Sequence, residues 1–550
     1  MKCRYKLFIF LFFLIPNLLT GQAVTKETFL MHTDKNVYVT GEEVRYKLYL
    51  QDNDSKNSNL SSVGYLVMRG VNKAPFFKQR VELSSGIANG LIQLPDSLPS
   101  GIYQILSYTN TMRNDGENSF SAKQIIIINK YDNDFAFKIP EIKTIQSNPD
   151  NYQTVRYSIN KTVFHSREKV LLRLENIDSR ANLSVSVSEK NKFNFEDGNI
   201  LNKSAGQLSH PTEKNGKILN GMVYDSNSNA PVANAMVVLS CNDTVSNLAY
   251  SKTDADGRFE IPVTSYFQDK KLYLTIQNVP DDKQWKLKID DPLKLENDWH
   301  PVTKLAVNNE MKEYLINCQK LADINLAYYP NENAVPFLKT ENSGICPKFY
   351  QCKPVVVKPS DYTALNGFKE ICVEILPQVK FFKENGKSKI SIQGNNALNV
   401  TNSNPVVFLD GVYLDDLDKL TSLNSDKIKK IEIVYNERAF GDFIYNGALS
   451  VFTKSTEIEN MKPASHSLFY DDREEKSRFQ HTNEIYNPAP KESKMPFFKQ
   501  LLYWNPQITM NNNTCEFYTP DNTGIFVISI RGISGNGEKI NQDIEIQVIN

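Results

Sequence analysis

Apolar and polar residues alternate with a period of two along most of this 550-residue chain, which predicts a mainly β protein. In HTDKNVYVTGEEVRYKLYL (residues 32–50) a corner at Gly41 precedes Val44, Tyr46, Leu48 and Leu50, with polar residues between them. That is the pattern of an antiparallel strand buried on one face. In LPDSLPSGIYQILSYTN (94–110), proline and glycine punctuate, Gly101 allows a tight entry, and Tyr103, Ile105 and Ser107 alternate with Gln104, Leu106 and Tyr108. YSINKTVFHSREKVLLRLEN (157–176) echoes the first phrase: Lys161 matches Lys35, Val163 matches Val37, and Glu168-Lys169-Val170 matches Glu42-Glu43-Val44. One sandwich unit, used twice, accounts for this.

The period changes in two places. NNEMKEYLINCQKLADINLAYY (308–329) puts Met311, Leu315 and Cys318 on one helical face, and FKEICVEILPQV (368–379) predicts a second helix. VKFFKENGKSKISIQG (379–394) then reads as a basic hairpin turning at Asn385-Gly386. Val406 to Leu409 is a continuous apolar run, as are Ile431, Ile433 and Val434 with their neighbours; such runs suit strands covered on both faces. Polar residues dominate 191–213 and 456–495, which read as linkers or surface loops.

Charge removes several function classes. With 63 basic and 63 acidic residues, no net field favours nucleic acid or an anionic membrane. Lys2, Arg4 and Lys6 followed by an apolar run from Leu7 to Leu19 read as a signal peptide (1–23), with cleavage after Gly21 or Ala23. The expectation is an exported chain, in the periplasm or at the outer membrane, with no membrane-spanning segment once mature. Export permits disulfides. Of seven cysteines, Cys346 and Cys352 lie close in a loop-like run and are the expected pair; Cys241 and Cys372 read as core residues.

Residues 405–454, PVVFLDGVYLDDLDKLTSLNSDKIKKIEIVYNERAFGDFIYNGALSVFTK, resemble the plug domain of TonB-dependent outer-membrane receptors. A strand ends in Asp410-Gly411, a helix leads to a strand at Ile428–Tyr435, and Gly441 and Gly447 open the way to a last strand closing on Lys454. A receptor would continue into a barrel of many strands of about ten residues each, and roughly a hundred residues after Ser455 are too few. The expectation is a plug-like module without a pore. Residues 216–263 resemble the carboxypeptidase regulatory-like domain, a transthyretin-like seven-stranded sandwich that is non-catalytic in its relatives. Its markers are Gly221, Pro231-Val232, Ala235 and a hairpin through Asp256-Gly257, whose glycine lets the flanking strands pair. The phrases at 32–50 and 94–110 resemble macroglobulin-type sandwiches of Bacteroidetes surface proteins, and Trp504-Asn505-Pro506 with Phe517 to Asp521 resembles the closing Ig-like domain of the same group.

These resemblances imply a fold class of serial Ig-like or macroglobulin-like β-sandwiches with a small α+β plug-like module. The expected order is a macroglobulin-like sandwich (24–130), a second sandwich and linker (150–213) and a carboxypeptidase regulatory-like sandwich (214–295). A connecting helical and hairpin region (296–403), the plug-like module (404–456), a linker (457–495) and a terminal sandwich (496–550) follow.

Candidate chemistry is sparse. His165-Ser166-Arg167-Glu168 has the H-x-x-E spacing of two zinc ligands, with His300 as a distant third, but it falls on a β-corner and a complete sandwich fills the intervening sequence. The acids Asp410, Asp415, Asp416 and Asp418 suit either calcium or the start of a helix. No nucleophile elbow or phosphate-binding loop is present, nor the Cys-Gly-Glu-Gln thioester motif of protease-trapping macroglobulins. No catalytic residue, cofactor or metal is assigned. The reading is a non-enzymatic binding or scaffolding protein of the cell envelope, with envelope or outer-membrane proteins as partners. Its alternatives are an accessory of TonB-dependent uptake and a metallopeptidase.

Overall fold

The computed structural model describes residues 26–52, 56–70, 74–132, 138–139, 153–191, 193, 198–199, 210–295, 305–306, 308–328, 348–362, 365–394, 404–473, 484–485 and 494–550. The expected signal peptide, Cys346 and His300 lie outside these residues. The chain is mainly β, as the alternation requires, and its described residues build three sandwiches, one mixed sheet and two two-stranded pairs.

In the first sandwich, Thr28–Thr33, Glu43–Gln51 and Ile87–Gln93 form one sheet. Val63–Gly70, Phe77–Glu82, Gly101–Tyr108 and Ser121–Ile128 form the other, with Val37–Val39 parallel to Ser121–Ile128. Tyr46, Leu48, Tyr65, Val67, Ile105 and Ile125 meet between them. The outer faces are covered too. Helix Asn309–Tyr328 lays Leu315 and Cys318 on Val37, Val39, Ile126 and Ile128, on the stripe its periodicity predicts. Glu43–Gln51, expected to be half-exposed, is buried at every position, because its polar face lies against the second sandwich.

The second sandwich revises the domain order. Segments 150–213 and 496–550, read as a sandwich each, build one between them. Asn182–Glu189 lies between Leu501–Ile508 and Gly524–Ile533 in one sheet, and Lys169–Glu175 pairs with Thr514–Tyr518 in the other. The core mixes Val170, Leu172 and Val185 with Phe517, Phe526 and Ile528. The physical reason is size: a segment of about fifty residues buries too little surface alone.

The third sandwich is also completed from afar. Ile218–Asp225, Arg258–Pro262 and Trp285–Ile289 face Met236–Cys241, Leu248–Lys252 and Lys271–Ile276. The seventh strand, Ser467–Asp471, comes from the stretch read as a linker and pairs with Lys271–Ile276. The turn at Asp256-Gly257 corrects a further expectation. Gly257 has a positive φ of 71°, but the strands on either side belong to opposite sheets and do not pair. The turn is a corner, with Asp254 accepting hydrogen bonds from the Asp256 and Arg258 amides.

A buried polar seam fixes the first and third sandwiches together. Asp472, fully buried, accepts a forked pair of hydrogen bonds from the Arg80 guanidinium, at 2.5 and 2.9 Å, and lies 3.6 Å from Lys217 Nζ. Beside it, buried Glu213 accepts from the Tyr65 hydroxyl and the Ile218 amide. Among the described residues no helix is long and apolar enough to cross a membrane, a finding that leaves strands aside.

Two outcomes follow from this seam. Arg80→Ala leaves Asp472 buried without its main partner and should cost about 3–5 kcal/mol in urea unfolding; a loss within the scatter of surface substitutions would contradict the role of the pair. Burial pushes the Glu213 carboxyl up to about 7, against the opposing pull of the Ile218 amide, Tyr65, Lys217 and Arg80. The folded chain then holds this proton more tightly than the unfolded one. Its contribution is complete below the ordinary glutamate value of about 4.3 and is lost as pH rises through the folded value. Wild type should therefore lose stability relative to Glu213→Gln across that window, and parallel unfolding curves would count against it.

Candidate functional site

Residues 404–453 supply four strands of a five-stranded sheet and Val355–Val357 the fifth, in the order Val355–Val357, Ile428–Phe440, Phe443–Thr453, Val406–Leu409, Val412–Tyr413. The apolar runs are covered on both faces, as their composition predicts. Val407, Leu409, Ile431, Ile433, Leu449 and Val451 pack on helix Phe368–Glu374 and the hairpin Val379–Glu384/Lys387–Ile392. Val406, Phe408, Phe443 and Tyr445 turn the other way, onto Val238 and Leu248 of the third sandwich and onto Phe349 and Tyr350. The helix expected between Gly411 and Ile428 is instead two short 3₁₀ turns, Leu417–Ser422 and Ser425–Lys427.

The residues singled out in the sequence occupy structural joints. Asp410 and Gly411 both have positive φ, 49° and 84°, and close the hairpin between Leu409 and Val412. The buried Asp410 carboxylate accepts from the Thr453 amide (2.6 Å), the Thr453 hydroxyl (2.8 Å) and the Ile458 amide (3.3 Å), locking the end of the last strand. Gly411 is required twice: by its φ, and because a Cβ would lie 2.8 Å from Asp243 N and Cys241 O of the third sandwich. Gly441 turns the long hairpin, beside the Tyr250 hydroxyl that accepts from the Asp442 amide at 2.7 Å. Gly447 does not open the last strand. It lies inside it, opposite a register shift between Val434 and Glu437, where a Cβ would meet Val434 O at 2.7 Å. Cys352 is half-buried beside the Phe349 cluster; its expected pairing with Cys346 falls outside the described residues.

The acidic cluster is engaged by protein groups. Asp415 faces His466 (3.1 Å) and the Asn278 amide, Asp416 caps the 3₁₀ turn at the Asp418 amide, and Asp418 accepts from Ser388. The H-x-x-E lies on a corner of the second sandwich. Glu168 pairs with Lys161 and accepts from the His165 amide at 2.9 Å, as Glu42 pairs with Lys35 and accepts from Val39 in the first sandwich. His165 Nδ1 lies 2.8 Å from Asn550 O.

One feature escaped the sequence reading: the open edge of the mixed sheet. Val355–Val357 pairs on one side with Ile431–Ile433, and no described strand lies on its other side. Val355 and Val356 are about half exposed, at 48% and 50%. Lys353, Lys358 and Lys429 are exposed around them. Behind, buried Glu432 binds Lys348 (2.6 Å), Lys430 (2.7 Å) and the Tyr350 hydroxyl (2.5 Å). Burial opposes its ionisation, but those partners hold its carboxyl below the ordinary range. The available signal was the triplet of β-branched residues between Pro354 and Pro359.

The chain matches no protein-family model and no curated protein. Among solved structures it aligns with alpha-2-macroglobulin from Salmonella reacted with methylamine, at 9% identity and TM-score 0.24, covering 95% of this chain and 39% of that one. The native conformation of Escherichia coli alpha-2-macroglobulin aligns at 10% identity and TM-score 0.25, covering 95% and 40%. Dimeric latent PorU from Porphyromonas gingivalis aligns at 11% identity and TM-score 0.15, covering 48% and 33%. The chain spans about two-fifths of the macroglobulins' length. Likenesses of this size carry no argument about activity, and the sandwich assignment rests on the sheets themselves.

Gly411→Ala should both strain the turn and push the mixed sheet off the third sandwich. The left-handed strain alone costs on the order of 1–3 kcal/mol. Limited proteolysis should then release a fragment containing 404–453, and unchanged resistance would contradict the joint.

Proposed function

We propose that this chain is an exported, non-enzymatic binding or scaffolding protein of the bacterial cell envelope, and that it holds an extended acidic segment of a partner envelope protein along Val355–Val357. The observation that carries the reading is the contrast within the mixed sheet: both faces are filled from within the chain, while one edge is lined by exposed valines and lysines. An open edge presents backbone donors and acceptors that a partner strand can complete. The lysines repel a second copy of the same edge and attract carboxylates, so an acidic partner fits better than self-association. Pro354 and Pro359 limit the window to a few residues.

The plug-like resemblance of 404–456 supports an outer-membrane setting. In a receptor a barrel would cover the sheet; here Val238, Leu248 and Phe349 fill one face and helix Phe368–Glu374 the other. This favours scaffolding over docking into a barrel for TonB-linked uptake. The engagement of His165 and Glu168 with Asn550 and Lys161 favours a structural corner over the metallopeptidase alternative.

A photo-crosslinker in place of Val356, in the full chain within intact envelopes, tests the reading, with the equally exposed Ile444 as control position. One envelope protein should be captured through an acidic extended segment, and the yield should fall with added salt and with Lys353→Glu plus Lys358→Glu. Adducts no stronger than at Ile444, or unmoved by salt and charge reversal, would overturn it.

A further inference from the structure

The seam between the first and second sandwiches holds a lysine that stability alone does not explain. Lys47 is 1% exposed, and none of its described contacts is a carboxylate. Its Nζ reaches the side-chain carbonyl of Asn182 and the backbone carbonyl of Pro506, both in the second sandwich, and lies 4.9 Å from the Tyr49 ring centroid. A buried ammonium without a counter-ion is costly, so the site favours the neutral amine; burial brings Lys47 down to about 7. A neutral amine is a nucleophile.

The neighbours are arranged around this pair. His32 lies directly opposite Lys47 in the strand register. Its ring nitrogens sit 2.6 Å from Ser184 Oγ and 3.1 Å from Ser186 Oγ, on the strand that begins at Asn182, and its ring packs against Trp504. Burial first, then the charges of Arg531 and Lys123, hold the imidazole neutral, well below its ordinary range. Asn182, Ser184 and Ser186 thus share one face of their strand, while Leu183, Val185 and Val187 face the core.

We propose that Lys47 and Asn182 form an intramolecular isopeptide bond joining the first and second sandwiches. The Nζ lone pair attacks Asn182 Cγ; a Cγ–Nζ bond forms and the Cγ–Nδ2 bond breaks. One proton of the attacking amine passes to the departing nitrogen, which leaves as ammonia. One amide replaces another, so no oxidant, reductant or co-reactant is needed. Holding amine and carboxamide in contact supplies the proximity that such a slow exchange requires. The bond would bridge a separation of 135 residues, and a cross-link closing so long a loop restricts the unfolded chain strongly.

Intact-mass spectrometry of the denatured full-length chain tests this directly. The wild type should be lighter by one ammonia than its sequence, and digestion should yield a branched peptide linking Lys47 to Asn182. Lys47→Arg and Asn182→Ala should each restore the sequence mass. Wild-type protein of full sequence mass, with separate unmodified peptides for Lys47 and Asn182, would overturn the proposal and leave Lys47 as a hydrogen-bond donor only; that result needs no variant to fold.

Discussion

Asp472 is a carboxylate with no access to water, and the arrangement of the sandwiches depends on what surrounds it. It reaches its place only if Ser467–Asp471 has paired with Lys271–Ile276. Arg80 reaches it only if the first sandwich lies against the third. Lys217 comes from the start of the third sandwich, next to Glu213, which in turn holds Tyr65 of the first. A buried charge tolerates few alternatives, so the pair specifies one relative placement more than it adds stability. Apolar contacts alone would leave the sandwiches freer to slide.

The same device recurs at the other joints. Asp410 locks the last strand of the mixed sheet, and the Gly411 turn sits on the backbone of Cys241 and Asp243. His32, Lys47 and Tyr49 pair with Ser184 and Asn182 across the first and second sandwiches. Polar groups buried between apolar cores set angles, while Phe408, Leu409 and their neighbours supply the burial. A scaffold needs this rigidity if the Val355–Val357 edge is to be presented in a fixed direction.

Local grammar was legible in the sequence. The repeated Lys-to-Glu corner became the same ion pair twice, Lys35 with Glu42 and Lys161 with Glu168. Asn385-Gly386 turned its hairpin with both φ angles positive, and Leu315 with Cys318 faced the first sandwich. What could not be read was pairing over distance. Nothing in a period of two says that Val170 needs Phe517, or that Leu274 will pair with Leu468. Asp256-Gly257 has hairpin composition, yet its two flanking strands pair with different partners, Met236–Cys241 and Ile218–Asp225, in facing sheets. The polar residues of Glu43–Gln51 looked solvated because a periodic pattern cannot distinguish water from a second sandwich with matching polar groups.

The composite second sandwich has a consequence for the order of assembly. The Leu174 carbonyl accepts from the Asn513 side chain, 339 residues away. Strands made early must therefore wait, with Val170, Leu172 and Leu174 uncovered, until residues 501–549 arrive. Contacts of such separation are slow to form and expose apolar surface meanwhile. If the chain threads across a membrane from its N-terminus, this sandwich closes after the first and third sandwiches and the mixed sheet, around modules already folded. It acts as a latch: the other domains can be complete and the molecule still unfinished.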